Sequence, residues 1–145
     1  RWSLQAAALF RRPVSTTRLR QVLTALDVRP RDGRKLNHAG FKPLVASMVW
    51  RGWLKESGAG LLCRPEWAEA MVSDAAELGR LPTLAQALID TNTTVRPRYV
   101  NYEDLLQDLH LALLVEAVDR VNHLISIAFR EFPNQSARQH PLLAI

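Results

Sequence analysis

The chain holds one cysteine, Cys63, so no internal disulfide can form and a reducing compartment is expected. It has no apolar run of about eighteen residues, the length a membrane-spanning helix needs. The run from Ala6 to Phe10 is too short and wrongly flanked for a secretory leader. These absences point to a cytoplasmic protein with no membrane partner. His38, His110, His123 and His140 show no metal-ligand spacing with one another or with Cys63, and no His-Glu-x-x-His run occurs. No Gly-Lys-Ser or Gly-Lys-Thr follows a glycine to make a phosphate loop, and no Ser, His and Asp grouping can be read from spacing. Neither catalysis, nor a metal, nor a cofactor is expected of these residues.

What the chain does contain is an ordinary globular mixture, with 48% apolar and 23% charged residues in 145, enough for one compact core or a small domain with a helical extension. The net charge of +5 is unevenly spread. Residues 1–64 carry thirteen Lys or Arg and three Asp or Glu, a balance of +10, whereas residues 65–145 carry six and eleven, a balance of -5. A polyanion is the natural partner of the first part, and a protein or solvent that of the second. The chain starts at Arg1 without methionine and ends in Pro141-Leu142-Leu143-Ala144-Ile145. A free end is usually polar, so a segment of a longer polypeptide is expected.

Periodicity predicts a first helix from Trp2 to Arg11, with Trp2, Ala6, Leu9 and Phe10 on one stripe and Pro13 as its stop. Ser15, Thr16 and Thr17 offer an N-cap for a second helix, which buries Leu19, Val22, Leu23 and Leu26. Arg29 to Lys35 reads as a basic, turn-rich loop. Phe41, Leu44, Val45, Met48, Val49 and Gly52 lie on one face of a third helix. Pro43 would belong in its first turn, leaving Asn37 to Lys42 as a lead-in.

Gly52 ends that helix. Trp53-Leu54 and Leu61-Leu62-Cys63 then read as strands around a tip, Lys55 to Gly60, with Trp53 and Leu61 leaning on the helices. Pro65 opens a fourth helix that runs to about Leu78, and Thr83 to Asp90 a fifth. Thr91 to Arg98 is a polar loop and a candidate boundary.

From Asn101 to about Glu131 the apolar stripe is Leu105, Leu106, Leu109 and Leu113, then Val118, Val121, Leu124, Ile125, Ala128 and Phe129. It fits one helix of about thirty residues, or two broken near Glu116 to Asp119, although no proline or glycine forces a break. The run Leu111 to Val115 is apolar on all sides, which predicts burial between two neighbours.

The succession of three helices and a hairpin, carried by Leu19, Val22, Leu23, Phe41, Leu44, Val45, Met48, Val49, Gly52-Trp53-Leu54 and Leu61-Leu62-Cys63, resembles the winged-helix family. That resemblance implies a mainly α fold with a small β-hairpin. Residues 1–79 would be a winged helix-turn-helix. Residues 80–145 would be a helical extension, either a helical hairpin or the start of a helical repeat, packed on the first part and continuing beyond the fragment. It also implies that the outer face of the third helix and the wing meet nucleic acid. The positions concerned are Arg34, Lys35, His38, Lys42, Ser47, Trp50, Arg51 and Lys55.

Lysine and arginine there would neutralise phosphates. Base reading needs Arg, Asn or Gln along the groove-facing helix, and Pro43, Ala46, Ser47 and Trp50 occupy that face, so sequence-independent contact with DNA is expected. Trp50 is expected to fold back onto the wing or the C-terminal helices as core; turned outward it would suit a protein contact or stacking on unpaired bases. A basic winged helix before an acidic helical region is also similar to the N-terminal accessory portion of large bacterial Swi/Snf-like helicase-related ATPases, the arrangement and Leu109-His110-Leu111-Ala112-Leu113-Leu114 carrying the likeness. A non-catalytic accessory module of a larger protein, with any ATPase elsewhere in it, is what this second resemblance implies. The alternative expectation is a protein-interaction or oligomerisation module on the same fold.

Overall fold

The computed structural model describes residues 1–29, 36–92, 99 and 101–134. Among them the chain is mainly helical with one two-stranded antiparallel hairpin, in the order α1 (Trp2–Ala8), α2 (Thr16–Ala25), α3 (His38–Trp50), β1 (Leu54–Ser57), β2 (Gly60–Cys63), α4 (Pro65–Glu77), α5 (Leu81–Asp90), α6 (Tyr102–Leu114) and α7 (Val118–Glu131). No helix among the described residues is long and apolar enough to cross a membrane. The chain divides into two compact units, Arg1–Thr91 and Asn92–Ile145.

In the first unit α1 is shorter than its periodicity predicts and is enclosed on all sides, with Ser3 to Phe10 all buried. It packs against α2, α4, α5 and β2, so a single stripe would not have served it. Gln5, fully buried, donates to Asp74 of α4 at 2.6 Å and accepts from Arg80 at 3.3 Å, which satisfies its amide. α5 lies beyond the expected boundary at residue 79, yet it belongs to this unit: Leu84 and Leu88 are buried and the helix packs with α1, α2 and α4.

Ser15 caps α2 by accepting from the Arg18 amide at 3.2 Å. Just before it, Val14 and Leu61 form an isolated antiparallel bridge, which ties the α1–α2 connection to the hairpin. α3 begins earlier than Pro43 suggests, because Asn37 accepts from the Gly40 amide at 2.8 Å and starts the helix at His38. Pro43 therefore sits inside α3 and costs it the bond that residue 43 would donate to Ala39.

Gly52, at φ +72°, closes α3 with two bonds, its own amide to Val49 (2.9 Å) and the Trp53 amide to Met48 (3.0 Å), in the Schellman arrangement. The strands pair Leu54 with Cys63, Lys55 with Leu62, Glu56 with Leu61 and Ser57 with Gly60. The tip is thus Gly58-Ala59, tighter than the six residues expected, because Lys55 to Ser57 and Gly60 join the ladder. Leu54, Leu61 and Cys63 face the core. Trp53 instead stands under the Arg51 guanidinium and edge-on to Trp67 of α4 at 6.2 Å.

In the second unit Asn101 caps α6 through the Asp104 amide at 2.9 Å. α6 and α7 are two helices, and the break is made by Glu116 at φ +54°, where the Ala117 amide reaches back to Ala112 at 3.0 Å. Tyr102, Leu105, Leu109 and Ala112 of α6 form apolar clusters with Leu124 and Ala128 of α7, and the Phe132 ring meets that of Tyr102 at a tilt of 52°, 5.6 Å between centroids. Leu113, Val118 and Phe129, placed on the stripe by periodicity, are exposed, because the turn at Glu116 shifts the facing sides of the two helices. Leu111 and Ala112 are buried, so the run to Val115 is enclosed on part of its circumference rather than all of it.

Candidate nucleic-acid interface

The apolar residues of α3 fall on two adjacent stripes. Phe41 and Met48 go into the core, with Leu44 half-buried between them. Lys42, Val45, Ala46, Val49 and Trp50, at i, i+3, i+4, i+7 and i+8, lie along a second stripe that lines an open groove of about 660 Å³. The first turns of α2 supply Thr16, Thr17 and Arg20 to its lining, and β1 supplies Glu56.

Trp50 is 86% exposed at the rim, so the expectation that it folds back as core does not hold. The reason is geometric: Trp53, three residues on, already covers the hairpin–α4 junction through its contact with Trp67, and Trp50 lies on the other side of the helix end.

Of the residues singled out from sequence, His38, Lys42 and Trp50 come together in the groove. Ser47 and Arg51 occupy a neighbouring exposed side of α3. Arg51 is held there, its guanidinium 5.0 Å over the Trp53 ring, a cation–π contact that orders the charge while leaving it in solvent. Lys55 is exposed on β1, on the opposite face of the ribbon from Glu56 by strand alternation, and so lies off the groove. Arg34 and Lys35 fall outside the described residues.

Thr16 and Thr17, read from sequence only as cap candidates, and Arg20 and Glu56 join the groove without having been expected there. The signal that could have found the groove was an excess: Val45 and Val49 exceed what one core stripe of α3 can bury beside Phe41, Leu44 and Met48. The lining charges are Arg20 and Lys42 against Glu56, with His38 beside them, so the site is cationic.

Counted by compact unit the charge division softens. Residues 1–91 hold fourteen Lys or Arg and eight Asp or Glu, a balance of +6, and residues 92–145 hold five and six, a balance of -1. The acids of α4 and α5 belong to the basic unit, so positive charge is concentrated locally rather than by halves.

Among the described residues no group of three or more His, Cys, Asp or Glu could hold a metal ion. Cys63 is buried in β2 and its thiol is pushed up to about 11, by burial first and then by Glu66. No protein-family model, curated protein or solved structure matches this chain.

Proposed function

We propose that residues 1–91 are a winged helix-turn-helix that binds nucleic acid without reading its sequence, as a non-catalytic accessory module of a larger protein. One observation carries this reading: the side of α3 turned away from the core is left uncovered and presents His38, Lys42, Ser47, Trp50 and Arg51 to solvent, with Lys55 exposed on the adjoining hairpin. The element order supports it, because three helices precede the hairpin and the isolated Val14–Leu61 bridge ties the α1–α2 connection to it. DNA is the favoured polymer; the one arginine of this face, Arg51, is held over the Trp53 ring, and no Asn or Gln joins it to discriminate base edges. The α6–α7 pair suits a docking role within the larger protein, for which a Swi/Snf-like helicase-related ATPase remains the proposed setting. Leu113, Val118 and Phe129 offer that pair an exposed apolar face.

The test is a mobility-shift titration of mixed-sequence DNA at two salt concentrations. With about three phosphate contacts, affinity falls roughly 20- to 40-fold between 50 and 200 mM salt. The combined Lys42→Glu, Arg51→Glu and Lys55→Glu variant should not bind. Salt-independent binding, or none at low salt, would refute the proposal. A second reading, a protein-interaction surface, draws on the apolar floor of the groove and on Trp50. A charge-reversed variant that still recruits an oligomer would favour it.

A further inference from the structure

We propose that the α2–α3 groove accepts an unpaired stretch of a nucleic-acid strand, one base stacking on Trp50 with its polar edge toward Thr16 and Thr17, and the strand continuing along α3 toward His38. The inference rests on the nucleic-acid reading above and names the form of the polymer: single-stranded rather than intact duplex.

Three features of the groove select this occupant. Its rim is cationic, with Lys42 two turns before Trp50 on the same stripe of α3 and Arg20 joining them from α2, so an anionic chain is favoured. The 86% exposed indole at the rim, on the same stripe as Lys42, has the makings of a stacking platform. Stacking on an aromatic face tolerates any base, because every base presents a π surface. The α2 contribution to the lining is polar, Thr16 and Thr17 with Arg20, where α3 brings Val45 and Val49. The edge of a base can pair with Thr16 and Thr17, whereas the apolar face of an acidic helix laid in the groove would bury those hydroxyls without partners. A duplex, its bases already stacked, has no free face to offer Trp50.

The experiment uses the whole chain and two probes: a fluorescently labelled mixed-sequence DNA strand of roughly 16 nucleotides, and the same strand annealed to its complement. The strand should bind more tightly than the duplex. Trp50→Ala should weaken strand binding roughly 5- to 150-fold, the range for losing one stacked base, and weaken duplex binding by a clearly smaller factor. Trp50→Phe should keep most of the affinity but lose the quenching of tryptophan emission that the strand produces in the parent protein. Because Trp50 is exposed, thermal unfolding of both variants should match the parent.

Equal affinity for strand and duplex, with Trp50→Ala neutral on both, would overturn the groove inference and leave sequence-independent binding standing. Failure of both probes at low salt would overturn both readings. Displacement of the strand by a Glu- and Leu-rich helical peptide that binds more tightly, or self-association that Trp50→Ala abolishes, would assign the groove to a protein chain and overturn the inference.

Discussion

Val14 and Leu61 exchange two backbone hydrogen bonds, each 2.8 Å, although forty-six residues separate them in sequence. That one bridge brings the end of the α1 connection onto the hairpin and sets where α2 starts. The contact is close: a Cβ built on Gly60 would stand 2.5 Å from the Val14 carbonyl oxygen, at a backbone φ of +129°.

Gly60→Ala should therefore destabilise the first unit by about 1–3 kcal/mol, from backbone strain and from opening the bridge. Gly58→Ala, two residues away in the tip, meets nothing within 4 Å and should be nearly neutral. Denaturant unfolding of the two variants checks this, and similar losses at both positions would argue against the bridge.

Glu116 holds the left-handed conformation at the α6–α7 turn without being glycine. Glu116→Gly should leave stability unchanged or raise it by up to about 1 kcal/mol, and Glu116→Val should lower it by a similar amount or more. Thermal denaturation would decide, and a destabilised glycine variant would mean that the Glu116 side chain contributes more than its backbone angle costs.

Cys63 should react slowly with a disulfide thiol reagent in the folded protein. A thiol pushed up to about 11 is on the order of 0.1% thiolate at pH 8. Labelling should accelerate steeply with pH and be far faster after denaturation. Fast labelling of the native protein at neutral pH would contradict the burial of β2.

Asp74 accepts hydrogen bonds from Arg1 and Gln5, and its carboxyl is held below its ordinary value of 3.8, chiefly by the Arg1 bond. A depressed folded value means that this stabilisation is present above about pH 4 and is lost as the pH falls through the folded value. Asp74→Asn should accordingly lower the unfolding midpoint at pH 7, and the two proteins should converge in acid. A constant difference down to low pH would show that the amide loses something other than charge.

Local signals were readable wherever one residue type carries them. Ser15 capping α2, Gly52 closing α3 and Pro65 opening α4 all stand where sequence places them, since each acts on its own backbone or on the next turn. Asn37 caps α3 six residues ahead of Pro43, whereas a proline taken alone points to a helix that starts at it. The α6–α7 break falls where one of the two sequence alternatives puts it, near Glu116, but periodicity cannot choose between them because Glu116, unlike glycine, announces no left-handed angle. The groove was hidden for another reason: Val45 and Val49 satisfy the same periodicity as Phe41 and Met48, and periodicity names an apolar face without saying what covers it.

From the residues alone follow a mainly helical chain, a hairpin after the third helix, a basic N-terminal part and the absence of recognisable catalytic or metal spacing. Each is a matter of composition or of interactions spanning only a few residues. The Val14 bridge, the enclosure of α1, the membership of α5 in the first unit and the exposure of Trp50 were decided by tertiary structure. They depend on which surfaces, tens of residues apart in the chain, exclude water from one another, and burial of that kind has no representation in local periodicity.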